Sequence, residues 1–599
     1  MHTWKAIVPA VLLITAVAAA QQVTPAQAAK PGAEQSVASE SAPSPAPATA
    51  LPAAQATPAT QAQAPAAARS GPEAAPVTMA QVVDRAIQRE HDLMDFLRTR
   101  TPLVETYLQN MKYDPVLGDV PKDDRYFLGR LDLATTVRRR DYLAHKERLQ
   151  EKVRETFTEP FRLEYKPLGF SWMIFADRGQ FDRAHYDFKY VRREFLGDVR
   201  CFIFEVTPKK GTGRGRFQGR IWVEDQAFNI VRLNGTYVPL LKNPYFFHMD
   251  SWRLNLVSDY WLPAYIYTEE GNSADGDKHK LTFKAQTRIW GYDLQKTLQE
   301  DELAQITVDS VKDESSATAD PSPLSAVRGW QQQAEDNVME RMQSASLLAP
   351  AGDVDVVLQT VVNNLIVTNN LELAGPIRTR VMLTSPLETF SVGDTIVVSR
   401  GLIDVLPDEA CLAMVLSHEL AHIVLGHTLG SRFAYTDRLA FSDPSIYRTF
   451  GFGHSREEEA AADAKALEIL KKSPYAEKLQ SASLFLKELE ARAPAMSALL
   501  ATHLGNSFAD DKGQLTRMVD LAHSGPELQP QTLNQVAASP LGGRLKLNPW
   551  DDRVELVRSA PVLIISARDK IPFELTPFTP HLSRLGNGKV ANNTAAANR

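Results

Sequence analysis

His418-Glu419-Leu420-Ala421-His422 lies inside a stretch, Asp408 to Leu429, that holds no proline and a single late glycine, Gly426. Those features predict one uninterrupted helix. On a helix, positions i and i+4 share a face, so the two imidazoles point to the same spot. Glu419 lies about 100° round from His418, close enough to reach a water on a metal held by the two rings. Neutral imidazoles to hold Zn2+, with a carboxylate to take a proton from bound water, make up the chemistry of a zinc hydrolase. Leu412, Val415, Leu416, Ile423 and Val424 leave the rest of the helix apolar, which marks a buried element rather than a solvated charged face. Two histidines and a carboxylate are costly in such surroundings unless a metal or hydrogen bonds satisfy them.

A tetrahedral catalytic site needs one more protein ligand and leaves its fourth position to water. The extended motif with glycine and histidine further along the same segment does not apply, because Leu425 and Thr428 occupy those positions. His427 lies five residues past His422, on the wrong face of a continuous helix. Ser455-Arg456-Glu457-Glu458-Glu459-Ala460-Ala461-Ala462-Asp463-Ala464-Lys465-Ala466-Leu467 is a second strong helix former, with Glu459 and Asp463 at i and i+4. Ala466 and Leu470 continue that stripe inward, and three small alanines allow close packing against the first helix. Glu459 is read as the third ligand and Asp463 as the acceptor for a ligand's imidazole N–H. Glu457 and Glu458 read as a solvated first turn favoured by the helix dipole.

With these motifs the sequence resembles the M48 family of zinc metallopeptidases, in which HExxH precedes a helix carrying ExxxD. The likeness spans Ala351 to Ser566. Thr395-Ile396-Val397-Val398-Ser399-Arg400-Gly401-Leu402-Ile403 looks like the strand and turn leading into the active-site helix. Pro407-Asp408-Glu409-Ala410 supplies its acidic start, and Ser417 and His427 flank the motif as in the family. The resemblance implies one Zn2+ per chain and hydrolysis of protein or peptide substrates, which pair with such an edge strand. It makes Glu419 the catalytic base and His418, His422 and Glu459 the ligands. Leu547-Asn548-Pro549-Trp550-Asp551-Asp552-Arg553-Val554-Glu555-Leu556 looks like the family's His-Pro segment, with Asn548 in place of the histidine. Asparagine is neither an acid nor a switchable ligand, so the oxyanion stabiliser is left unassigned. His503 and His523, in between, read as surface histidines.

At 599 residues and 44% hydrophobic content, the chain has enough apolar material for two or three domains with cores of their own. A net charge of −6 shows no basic bias and argues against nucleic acid as a partner. Lys5 followed by the apolar run Ala6 to Ala20, with small Ala18 and Ala20, reads as a signal peptide over residues 1–20. The expected location is therefore the periplasm of a bacterial envelope, with an uncleaved N-terminal anchor as the alternative. Cys201 and Cys411 are the two cysteines, and Cys411 reads as a small core residue. Residues 21–77 are nearly all Ala, Pro, Gln, Ser and Thr, a composition that cannot bury a core and reads as a tether.

Thr78 to about Lys112 has helical spacing. Short segments rich in aromatic and β-branched residues follow: Phe161–Tyr165, Trp172–Phe175, Tyr186–Phe195, Cys201–Val206, Arg216–Glu224, Asn229–Val238, Ser251–Leu256, Ala264–Thr268 and Lys280–Tyr292. They predict an antiparallel sheet with too many strands to stay flat. Helix followed by curled sheet resembles periplasmic lipoprotein-carrier and outer-membrane lipoprotein-sorting proteins, chiefly over Gly219 to Arg232. That likeness implies a half-barrel whose apolar face takes an acyl chain or an extended peptide. The alternative is that Trp222, Trp252, Trp261 and Trp290 pack a closed core. Residues 78–300 thus form a β-rich carrier-like domain, 301–325 a linker, 326–584 the peptidase-like domain and 585–599 a tail. The fold class is multidomain α+β. Two functions are in play: an exported zinc metalloendopeptidase in envelope protein quality control, and a lipid- or lipoprotein-binding assembly factor whose peptidase region serves as a scaffold.

Overall fold

The computed structural model describes residues 78–584, apart from 135–136, 144–166, 212–214, 239–244, 256–259, 273–280, 294–322, 374, 428–442, 511, 530, 533–534 and 558–565. The signal segment 1–20, the tether 21–77, most of the linker, the expected strand at 161–165 and the tail 585–599 lie outside the described residues. The described residues all belong to one compact unit, Ala75–Arg599. The architecture is α+β, a large antiparallel sheet followed by a mainly helical region.

Thr78 starts the first helix, Met79–Leu97, through a reciprocal cap: its hydroxyl accepts from Gln81 N at 3.2 Å, and Gln81 Oε1 accepts from Thr78 N at 3.0 Å. The helix stops well short of Lys112, because Pro102 cannot continue it. Strand β1, Leu103–Asp114, takes over and turns into β2, Gly118–Asp132, with Gly118 at φ 80°. Val104 and Leu108, four apart, share a face in either a helix or a strand, so their spacing does not mark the change from one to the other. Of Trp172–Phe175, expected as a strand, Trp172 instead ends a short helix, Pro167–Trp172, and Met173 to Phe175 form the turn that follows it.

No predicted segment covers the short β3 (Arg138–Asp141), whereas the others fall close to the predicted segments: β4 (Tyr186–Leu196), β5 (Val199–Pro208), β6 (Phe217–Glu224), β7 (Ile230–Tyr237), β8 (Tyr245–Leu254), β9 (Leu262–Asn272) and β10 (Leu281–Trp290). Their order is β3-β2-β1-β10-β9-β8-β7-β6-β5-β4, so β1 and β10 close a gap in sequence and β3 and β4 form the edges. Alternation along the strands sends residues to two faces. Val104, Leu108, Phe202, Phe204, Ile266 and Ile289 pack with Val82, Val83 and Leu93 of the first helix and with Phe170 and Ile174. A buried ion pair holds that helix down, with Arg253 donating to both Glu90 oxygens at 2.6 and 2.7 Å.

The opposite face, with Leu103, Tyr107, Cys201, Ile203, Trp222, Trp252 and Trp290, shares one apolar cluster with the C-terminal region. The four tryptophans are thus core residues: Trp222, Trp252, Trp261 and Trp290 are all buried. Polar side chains on this face are matched to the region above them. Glu105 receives Arg400 at 2.6 Å, the Ser385 hydroxyl at 2.8 Å and the Tyr126 hydroxyl at 2.9 Å. Asp124 accepts from the backbone N–H groups of Ala498 and Leu499, both at 2.8 Å. Trp290 donates to Ser346 O at 2.7 Å, and Gln109 both donates to Phe573 O and accepts from Leu575 N.

The C-terminal region begins with helices Pro323–Ser344 and Asp353–Asn369 and a small sheet of β11 (Arg378–Met382), β12 (Thr389–Val392) and β13 (Thr395–Ser399). Its order is β11-β13-β12, so β13 is the central strand and not the expected edge; β11 and β12 are the edges on either side of it. Among the described residues no helix is long and apolar enough to cross a membrane. Cys201 and Cys411 are both free and buried.

Two outcomes follow from this packing. A fragment of residues 326–584 loses the partner for its buried polar groups and apolar face. It is expected to lack the cooperative unfolding and near-ultraviolet circular dichroism that 75–599 shows. Second, burial pushes the Asp552 carboxyl up to about 7 despite its bond from Gly291 N. Its neutral form is therefore favoured in the fold, and the stabilisation this brings is lost as pH rises from the ordinary carboxylate range through about 7. Asp552→Asn keeps the acceptor without the charge. Its melting temperature should gain on wild type between pH 4 and about 7 and run parallel above, whereas a constant gap would refute the assignment.

Candidate metal centre

Asp408 starts the first site helix, Glu409–Val424, by accepting from Cys411 N at 2.9 Å. The helix ends at Val424 rather than Leu429. Leu425 caps it, and Gly426 adopts φ 69°, a left-handed turn that glycine makes without strain. This turn brings His427 back, so that its Nδ1 lies 3.0 Å from Nδ1 of His422. His427 is therefore beside a site histidine, not on the far face of a longer helix.

Ser455 starts the second helix, Arg456–Lys471. Its hydroxyl accepts from Glu458 N at 3.3 Å, and Glu458 Oε2 accepts from Ser455 N at 2.9 Å. Glu458 is thus a capping residue, and Glu457 is exposed. Glu459, Ala462, Ala466, Ile469 and Leu470 are buried, and the helix packs against the first.

Between the helices, His418 Nε2 and His422 Nε2 are 3.2 Å apart, and Glu459 places Oε2 3.3 Å from the first and Oε1 3.5 Å from the second. These three residues are buried, and no other group of three His, Cys, Asp or Glu donors converges in this way among the described residues. Two ring nitrogens facing each other so closely cannot both donate, so a cation between them suits the arrangement. Zinc with ligands at about 2.0–2.1 Å in a tetrahedron gives edges of about 3.3–3.4 Å, close to all three separations. The residues present fit such an ion.

Asp463 Oδ1 lies 2.9 Å from His418 Nδ1, and its other oxygen accepts from Met518 N at 2.7 Å. With Nδ1 on the carboxylate, Nε2 is the nitrogen facing Glu459. Burial and Arg517 push the His418 pKa down, but Asp463, Glu459 and Glu419 prevail and leave it raised. Burial pushes the Glu459 carboxyl up, yet bonds from His418 and His422 together with the Arg517 charge hold it far below the ordinary carboxylate range. Burial and the nearby His422 press His427 down, and they press His454 down to about 4.

Three site residues escaped the sequence reading. Arg517 is 2% exposed and spans the two carboxylates, with Nη1 3.0 Å from Glu419 Oε1 and Nε 3.1 Å from Glu459 Oε2. Asn506 donates to Glu459 Oε1 at 2.7 Å. His454 stacks on His422, with ring centroids 4.0 Å apart and planes 16° from parallel. The one trace in the sequence is an arginine set among Leu515, Met518, Val519 and Leu521. A loop asparagine and a histidine just before a helix gave none.

Asn548 is not brought to the site. Its side chain accepts from Trp550 N at 2.9 Å and closes a turn between the two strands of a small hairpin, Leu545–Leu547 and Val554–Leu556. His503 is half-buried against Tyr126 and Tyr447, and His523 is exposed. A cavity of about 900 Å3 lies between the second site helix and the segment from Thr502 to Leu521, with Glu459 and Asp463 in its wall.

Residues 355–527 match the model of Peptidase family M48. The match holds both site helices, Asn506 and Arg517, and stops before Asn548, so the likeness is narrower at both ends than the sequence reading gave. A search of curated proteins finds no match. Among solved structures, a DUF1329 family protein from Desulfovibrio piger is similar over 36% of this chain and 93% of its own, at 13% identity and a TM-score of 0.17.

Removing one member of a buried ion pair leaves the other uncompensated, at a cost of about 3–5 kcal/mol. Arg517→Met is expected to lower the unfolding free energy of the metal-free protein by about that much in urea titrations. Adding Glu419→Gln should recover part of the loss. If the single variant is as stable as wild type, the pair is not formed.

Proposed function

We propose that the chain is an exported zinc-dependent metalloendopeptidase. His418, His422 and Glu459 would hold one Zn2+, Asp463 would orient His418, and Glu419 would act as general base. The observation that carries this reading is the set of three near-equal separations among the ring nitrogens and the Glu459 carboxylate. The match of residues 355–527 to a peptidase family supports it independently. When bound in this donor set, zinc supplies Lewis acidity toward a water and toward the oxygen of the scissile amide.

Glu419 lies one residue past His418 on the helix, and its carboxylate takes the proton of the attacking water. It then returns that proton to the departing amide nitrogen. Arg517 holds the Glu419 carboxylate at Oε1, which keeps the base fixed in its buried site. The buried helix faces around it exclude bulk water, which strengthens these charge interactions.

Export rests on Lys5 and the apolar run to Ala20, and a role in envelope protein quality control rests on the family likeness. Protein or peptide chains are the substrates that follow. The other reading, a lipid- or lipoprotein-binding assembly factor, draws on the N-terminal sheet. Both faces of that sheet carry buried side chains, one under the first helix and one under the C-terminal region.

Mature protein should retain about one zinc per chain and cut unfolded casein. Glu419→Gln should keep the zinc and lose at least about a hundredfold in turnover. Glu459→Ala should lose zinc and Glu458→Ala should not. Equal zinc loss from both glutamate variants would overturn the ligand assignment, and wild-type cleavage by Glu419→Gln would overturn the mechanism.

A further inference from the structure

The peptidase reading leaves one role empty, the donor that stabilises negative charge on the oxygen of the scissile amide. Resting on that reading, we propose that His454 fills it, giving a hydrogen bond from Nε2–H to the developing oxyanion.

Three observations converge on this residue. Its side chain is 4% exposed, and Nε2 is buried without a hydrogen-bond partner among the described residues. Buried polar atoms are almost always paired, so an unpaired ring nitrogen beside a reaction centre marks a group awaiting a ligand atom. The ring lies flat on His422 at 4.0 Å, which places it over one of the residues proposed to hold zinc.

The backbone of His454 is also fixed to the site. Asn506 Oδ1 accepts from His454 N at 3.0 Å, and Asn506 Nδ2 donates to His454 O at 3.0 Å. The same amide nitrogen donates to Glu459 Oε1 at 2.7 Å. One asparagine therefore sets the distance between His454 and the Glu459 carboxylate, the kind of preorganisation that a charge-stabilising donor needs. The other ring nitrogen, Nδ1, stands 3.7 Å from Glu458 Oε2, too far for a hydrogen bond. The ring proton is therefore not committed to Nδ1 and is available on Nε2.

In the step itself, the water oxygen bonds to the carbonyl carbon while the π pair of C=O moves onto oxygen. The water's proton passes to Glu419. His454 donates a hydrogen bond to the charged oxygen and keeps its proton. On collapse, C=O re-forms, the C–N bond breaks and Glu419 delivers the proton to nitrogen.

Two substitutions separate donation from packing. His454→Phe preserves an aromatic ring on His422 but removes the donor, whereas His454→Gln restores an N–H of similar reach. Both would be assayed on unfolded casein, with zinc content measured alongside. The proposal expects His454→Phe to keep its zinc and a KM within about threefold of wild type, while kcat falls about 10²–10³-fold. His454→Gln should regain at least about tenfold of that loss. Wild-type kcat in His454→Phe would overturn the proposal. So would joint loss of zinc and activity, since His454 would then act by supporting His422. A wild-type protein that holds zinc but cuts nothing would instead bring down the peptidase reading on which the proposal stands.

Discussion

Two carboxylates, Glu419 and Glu459, are buried side by side, and the fold can keep them there only because cations and donors stand against them. Moving such a group out of water costs several kcal/mol unless it is paired. Arg517 reaches both, Asn506 and the two imidazoles surround Glu459, and Asp463 holds His418 from behind. These groups come from three separate segments. The constraint therefore fixes how the helix Glu409–Val424, the helix Arg456–Lys471 and the stretch from Thr502 to Met518 pack on one another. The centre organises the C-terminal region as much as that region presents the centre.

The same logic holds at the seam with the N-terminal sheet. Glu105 and Arg400 are both buried and meet at 2.6 Å, and Asp124 caps the backbone at Ala498 and Leu499. Arg400 opens the short helix that follows β13 and precedes the helix carrying His418 and His422. One face of the sheet is joined to the C-terminal region by a single apolar cluster. The sheet thereby bears on the site: Asp443, just ahead of the segment that carries His454, is held by Arg130 of β2 at 2.9 Å and by Arg341 at 2.9 Å. What the sheet supplies is a platform.

How much of this was legible depended on sequence separation. His418, Glu419 and His422, and then Glu459 and Asp463, stand at helical spacings, so one-dimensional periodicity sufficed to propose them as two constellations. The strands from β4 to β10 announced themselves through aromatic and β-branched runs between turn residues. β1 does not stand out because a spacing of four fits both periods, and the helix end at Gly426 does not because a lone late glycine is tolerated in many helices. Arg517 lies 98 residues from Glu419, and Asn506 lies 47 from Glu459. No local pattern links such pairs, since only the packed structure closes those loops. Asn548 drew attention through a short Asn-Pro match that the three-dimensional arrangement assigns to a hairpin turn.

The central claim is that two imidazoles and one carboxylate share a zinc ion. Zinc K-edge X-ray absorption on the purified protein tests it without relying on turnover. The account expects nitrogen and oxygen neighbours at about 2.0–2.1 Å with the outer-ring scattering of two histidines, reduced to one in His418→Ala. Zinc ligated without histidine, or a spectrum unchanged by His418→Ala, would contradict it.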